Sequence, residues 1–432
     1  MADPGMSVTP YWELTFDADG DVERPERDRL LTQVTEHGVR DLVVFAHGWN
    51  DDRSGATALY RRFYAPFPAL APGARLGYVG VIWPSMRFSD EPIPDFPKSA
   101  AAAAAEAAPS PALDKDTRRA LLGTFPDRAS VIDQLARMLD ERPDGTEALT
   151  EFGRLVRLLV DAEPPGVADT GEEGEPAVFT GDPVTVCAAF ADALAAVRSS
   201  GAPAGFSIPN PWEGAKELLR QAAYYTMKRR AGTVGEHGLG PVIGQLAQAA
   251  PGLRVHLTGH SFGGRLVSFA LRGLPDAVRA VKSVTLLQGA FSHYAFADGL
   301  PQDPGKAGTL KDRQRRIDGP LVCCHSHFDS ALGTFYPLAS RLAGDDRSCA
   351  GSEIAAVLGP RWGAMGHDGV QAVPGTRRLD LAAALAGPLP ATGCVNVDAA
   401  AVVRRGGPPT GAHSDILHPE LARLLLAAGR VT

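Results

Sequence analysis

Short apolar runs bounded by turn residues recur along the chain. Asp41 to Ala46, Leu76 to Trp83 and Leu253 to Thr258 read as buried strands, and Val281 to Leu287, Pro320 to Cys324 and Cys394 to Val397 repeat the pattern later. Helical stretches such as Arg265 to Gly273 and Leu379 to Ala386 lie between them. Runs that are apolar throughout, rather than alternating, belong to strands covered on both faces. The order therefore predicts an α/β fold: a mainly parallel sheet with helices on both faces.

The alternation breaks after Trp83-Pro84-Ser85. Residues 86–230 read as an insertion dividing the core into an N-terminal half, 1–85, and a C-terminal half, 231–432. Helical periodicity marks Val131 to Leu139, Leu149 to Val160 and Trp212 to Arg230. Ser99 to Ala108 is nearly all alanine, and Asp161 to Pro183 is acidic, rich in Gly and Pro, with the composition of a linker. The insertion leaves the end of a core strand, where open α/β sheets bind their ligands, so a large helical cap is expected rather than a solvated appendage.

Composition changes this picture little. With 44% hydrophobic and 22% charged residues the chain is globular in type, and a net charge of −7 argues against a protein built to neutralise nucleic-acid phosphates. Met1 to Tyr11 lacks a basic start and apolar run, and no stretch reaches the roughly 18 apolar residues of a membrane span. A cytoplasmic location, with no integral membrane segment, is the resulting expectation. The cysteines, Cys187, Cys323, Cys324, Cys349 and Cys394, are scattered and odd in number, as reduced thiols would be, with Cys323 and Cys324 in the core of a strand.

The chemistry concentrates at Gly259-His260-Ser261-Phe262-Gly263-Gly264, one tight turn between the strand ending at Thr258 and the helix starting near Arg265. A turn this sharp forces the serine into a strained conformation and leaves room only for glycine at Gly259 and Gly263. Gly264 is expected to let the helix pack closely on the sheet. The Phe262 backbone N–H, at the start of the helix, points to where charge develops on a tetrahedral intermediate and is one oxyanion donor.

In that context the turn resembles the nucleophile elbow of the α/β-hydrolase superfamily of lipases, esterases and thioesterases. The likeness covers about Tyr11 to Ser85 and Gly235 onward and leaves the insertion unmatched. It implies a nucleophile, Ser261, followed in chain order by an acid and a histidine. Asp329, just past the strand Pro320 to Cys324, and His413, on the loop after the last strand, occupy those positions. Asp318 precedes its strand, Asp398 lies at or within one, His418 suits the residue before a Pro-started helix, and His367 comes too early. Val43 to Asn50 is a buried strand ending in His47-Gly48, similar to the His-Gly oxyanion loops of the superfamily. By that likeness the Trp49 N–H is the second donor, Gly48 lets the chain turn under the substrate, and Asn50 or His47 braces the loop.

The expected activity is cleavage of carboxylic esters through an acyl-enzyme, on a small-molecule ester or acyl substrate, with amide, peptide and thioester hydrolysis open to the same residues. Neither a cofactor nor a resident metal is called for. A competing reading comes from His325-Ser326-His327-Phe328-Asp329, similar to the start of the metal motif of metallo-β-lactamase-like hydrolases, but residue 330 is Ser and the remaining ligands are not found. A non-catalytic α/β-hydrolase-like binding module is the alternative of another class. Nucleotide binding fares worse, because the Gly-rich turn lacks pyrophosphate spacing and no GKS/T follows.

Overall fold

The computed structural model describes residues 5–49, 52–86, 88, 111–160, 168–170, 177–199, 210–329, 331–332, 363–406 and 411–431. Ser99 to Ala108, Asn50, Cys349 and most of the acidic segment from Asp161 lie outside the described residues.

Eight strands form one sheet: β1 (Tyr11–Thr15), β2 (Asp41–Ala46), β3 (Leu76–Ile82), β4 (Arg254–His260), β5 (Val281–Leu287), β6 (Pro320–His325), β7 (Arg377–Asp380) and β8 (Gly393–Asp398). Their order is β1-β3-β2-β4-β5-β6-β8-β7, and every pair is parallel. The helices named below are α1 (Arg24–Glu36), α2 (Arg53–Tyr64), α3 (Lys115–Thr124), α4 (Ala129–Glu141), α5 (Thr146–Val160), α6 (Pro183–Ser199), α7 (Pro211–Thr233), α8 (Gly240–Ala249), α9 (Phe262–Gly273), α10 (Leu381–Ala386) and α11 (Pro419–Gly429).

Side chains of a strand alternate between faces, and here both faces are apolar. Leu42, Val44 and Ala46 of β2 join Leu30 of α1, Ile243 of α8 and Leu266 of α9 in one cluster. Val43 and Phe45 join Tyr60 of α2, Leu381 of α10 and Leu425 of α11 in another. Cys323 and Cys324 divide between the same two layers, and burial pushes both thiols well up. Among the described residues Cys187, Cys323, Cys324 and Cys394 are free.

The six strands that the apolar runs mark are the interior ones. The edge strands β1 and β7 escape that signal, β7 because it has four residues, Arg-Arg-Leu-Asp, of which three are exposed. It also corrects one helix: Leu379 and Asp380 belong to β7, and α10 begins only at Leu381, capped by the Asp380 carboxylate on the Ala383 N–H (2.7 Å).

The described helices of the insertion pack against the core. Leu121 of α3, Leu135 of α4, Phe152 of α5, Phe190 of α6 and Leu218 of α7 are buried in the same cluster as Phe262 and Leu266 of α9. From α7 the chain runs through a π-helical turn, Val234–Leu239, directly into α8. Among the described residues no helix is long and apolar enough to cross a membrane.

The connection β2 to β3 steps one way along the sheet, while β4, β5 and β6 step the other way. The reversal leaves a crevice between the carboxyl ends of β2 and β4, the position where open α/β sheets hold ligands. His47-Gly48-Trp49 leaves one side of it and Ser261 the other.

Candidate active site

Ser261 is the single residue between β4 and α9, and its backbone lies at φ +55° and ψ −121°, outside the regions allowed to ordinary L-residues. Such strain costs about 1–3 kcal/mol and persists only where the surroundings impose it. Here the Ser261 N–H donates to Leu287 O (3.1 Å), and its carbonyl accepts from Gly264 N–H (3.0 Å) and Ala290 N–H (3.2 Å). A Cβ at Gly259 would stand 2.2 Å from Gly263 O, and one at Gly263 would stand 1.9 Å from Ala46 O. Both positions exclude any side chain. Gly264 is different: the nearest atom to its Cβ position is 3.4 Å away, so close helix packing does not require a glycine there.

Ser261 Oγ, His413 and Asp329 form one hydrogen-bonded line. The hydroxyl donates to His413 Nε2 at 2.9 Å, and His413 Nδ1–H donates to Asp329 Oδ2 at 2.8 Å. Asp329 is wholly buried, and its other oxygen accepts the Leu332 N–H (3.1 Å), which fixes the carboxylate plane. The rivals are engaged elsewhere. Asp318 pairs with Lys282, Asp398 caps the Ala400 N–H, His418 bonds Asp415, and His367 bonds Asp368.

Three positioning contacts went unread in the sequence. His260 is buried, and its Nε2–H donates to the His413 carbonyl (2.9 Å), anchoring the loop that carries the histidine. Asp415 accepts the Arg404 and Arg405 N–H groups (2.9 and 2.8 Å) on one oxygen and His418 on the other (2.8 Å), which folds the same loop back on itself. Gln288, at φ +48° just past β5, donates to Gly366 O (2.9 Å) and reaches Asp329 Oδ2 at 3.4 Å. The string His413-Ser414-Asp415 held a local signal for the second of these. The others join strands far apart in the chain and leave none.

The β2 side is equally built. Gly48 passes so close to the nucleophile that a Cβ there would be 2.9 Å from Ser261 Cβ and 3.2 Å from His260 Nδ1. His47 bonds the Gly48 carbonyl through Nδ1 (2.7 Å), stacks on Trp83 at 5.6 Å, and receives the Trp83 indole N–H on its carbonyl (3.0 Å). His47 is therefore the brace of this loop; Asn50 is outside the described residues. Phe262 is the first residue of α9, so its backbone N–H has no acceptor within the helix.

Burial holds His47 down to about 4 and His260 to about 3, so both stay neutral at pH 7. This matters for His413, whose ring lies 5.1 Å from that of His260. A charged His260 would oppose an imidazolium at that distance by about 3 kcal/mol at an effective dielectric of ~20. Burial also lowers His256 and His325, whereas Asp368 raises His367. A histidine depressed in the folded state stays neutral while the unfolded chain takes up its proton below about 6.5, so stability falls as pH drops from there toward 4. His367 works in the opposite sense but is outnumbered. Urea midpoints measured from pH 7 to 4.5 should therefore decline steadily, and a His47→Asn variant should show a shallower decline.

Among the described residues no group of three or more His, Cys, Asp or Glu side chains is placed to hold a metal. In the HxHxD run the Asp329 carboxylate faces His413, while His325 ends β6 opposite Asp398 of β8.

A buried serine hydroxyl in line with an imidazole and a carboxylate, at the carboxyl edge of a parallel α/β sheet, has the parts for activating a nucleophile. Comparison with protein-family models, with curated proteins and with solved structures gave no match.

Proposed function

We propose that the protein is a serine hydrolase of the α/β-hydrolase type that cleaves carboxylic esters, with the helices of residues 86–230 as a cap over its site. The observation that carries this reading is the hydrogen-bonded line from Ser261 through His413 to Asp329, joined to a serine held at φ +55°. A hydroxyl is a weak nucleophile, and a strained turn that holds it 2.9 Å from an imidazole nitrogen supports a role in activating it.

In the proposed cycle His413 Nε2 takes the Ser261 proton as Oγ attacks the ester carbonyl. Asp329 keeps the proton of His413 on Nδ1 and stabilises the imidazolium. The Trp49 and Phe262 N–H groups stabilise the oxyanion. The C–O bond to the alcohol then breaks, His413 returns its proton to the leaving oxygen, and water cleaves the acyl-enzyme with the same base.

Labelling with a fluorophosphonate probe tests the reading directly. Folded protein should be modified at Ser261 and lose the label on denaturation before exposure. Folded protein that stays unmodified would instead be a binding module on the same scaffold. Matched ester, thioester and amide substrates then rank the bond classes.

A further inference from the structure

The rings around the β2 side of the site form a corner. Trp49 and Tyr224 meet edge to face, with centroids 5.8 Å apart and planes at 87°, and both are partly exposed. Phe262 lies 4.8 Å from Tyr224 and 6.3 Å from Trp49, and Phe88 lies 6.2 Å from Trp49. Phe262 and Phe88 are wholly buried and back the two outer rings. The corner adjoins the nucleophile from two directions, since Phe262 follows Ser261 in the chain and Trp49 follows Gly48, which rests against the serine Cβ.

The proposed mechanism, placed on the sheet order, assigns the half of a substrate that meets this corner. The alcohol must leave within reach of the proton on His413, which stands on the loop after β8, on the β5–β8 side of Ser261. With the carbonyl oxygen directed to the Trp49 and Phe262 amides, the acyl group extends the other way, over β2 and toward Trp49 and Tyr224. Two aromatic surfaces at right angles match a flat ring, which can stack on one while presenting its edge to the other. An acetyl group would touch neither well.

On the reading of Ser261 as an acyl-transferring serine, we propose that Trp49 and Tyr224 form the acyl-group wall and that the preferred acyl group is arylalkyl or aromatic rather than acetyl. Tyr224 comes from α7, so the selectivity of the core site is set by the insertion. It is held there by a buried bracket: Arg265 of α9 donates through Nη1 to the Lys228 carbonyl of α7 (2.7 Å), and both side chains bind the Asp169 carboxylate.

The test compares p-nitrophenyl phenylacetate with p-nitrophenyl acetate, which share a leaving group, in wild-type protein and in Tyr224→Ala, Tyr224→Leu and Tyr224→Phe, alongside fluorophosphonate labelling. Loss of a well-packed apolar contact changes discrimination by roughly 10–200-fold. Wild type should favour the phenylacetate in kcat/KM. The ratio should fall about tenfold or more in Tyr224→Ala and Tyr224→Leu, and persist in Tyr224→Phe, while Ser261 labels in all four. Normal labelling with an unchanged ratio in whichever of the Ala and Leu variants folds would overturn the acyl wall and leave the hydrolase reading standing. Wild-type protein that neither labels nor turns over would remove both.

Discussion

Replacing Ser261 by alanine should lower ester turnover by about 10⁴–10⁶ while leaving the fold intact, as loss of a nucleophile does in triads generally. The magnitude follows from the proposed unit: if Ser261 and His413 act on one proton, removing either disables the other, and a Ser261→Ala, His413→Ala double variant should fall little further than the single. Stability should hardly change. Alanine keeps the Cβ and the strained backbone, and it removes only a hydroxyl whose partner, His413, is still held by Asp329. Ser261→Gly, by contrast, relieves the positive φ and should gain about 1 kcal/mol or more at the same loss of activity. Turnover of a p-nitrophenyl ester, read beside thermal melts, checks both. An alanine variant with near-normal turnover would remove Ser261 from the mechanism.

Asp169→Ala should be strongly destabilising, at about 3–5 kcal/mol. Its carboxylate is wholly buried and takes Arg265 Nε at 2.8 Å and Lys228 Nζ at 3.0 Å, as well as the Ser292 N–H at 3.1 Å. Its backbone carbonyl accepts the Thr309 N–H (2.9 Å). Four separate parts of the chain thus meet on one residue. Burial alone would push this carboxyl up, but Lys228, Arg265 and the Ser292 N–H together hold it below the ordinary value. Its contribution is accordingly complete above the unfolded carboxylate range near 3.9 and is lost only as pH falls below it. Taking the carboxylate away strips a buried guanidinium and a buried ammonium of their shared counter-charge, which is the costly way to break an ion pair. Urea denaturation at pH 7 measures the loss, and Asp169→Asn, which keeps an acceptor but no charge, should recover part of it. Because the bracket ties α7 to α9, the variant should also loosen Tyr224 against Phe262. The chain has five tryptophans, so the change is read as the difference in intrinsic fluorescence between Asp169→Ala and the same variant carrying Trp49→Phe.

Much of the architecture was legible in the chain because interior parallel strands are apolar on both faces and cannot be anything else of that length. The turn Gly259 to Gly263 was legible for a related reason: local sterics alone demand glycine at two positions, with a carbonyl 1.9 Å from a Cβ at Gly263. The order of Ser261, Asp329 and His413 along successive strand ends singled out the three side chains that hydrogen-bond. The edge strands were not legible. A strand such as Arg377–Asp380, exposed on most of its length, carries no burial signal, and only its partner β8 makes it a strand.

What the tertiary structure alone decided is whatever depends on residues far apart meeting in space. His260 was read in the sequence as a supporting residue of the turn, but its partner was not: across 153 residues it holds the loop of His413. Gln288 and Asp169 carry no motif, because a hydrogen-bond partner or counter-charge acquires meaning only when burial removes water from around it. The insertion is the clearest case. Its sequence announced helices, linker-like segments and a cap but none of its side-chain partners, while packing brought Tyr224 to Trp49 and Phe262. The turn around Ser261 was therefore written in one short stretch of chain, whereas the rings that surround it came from folding a separate stretch onto it.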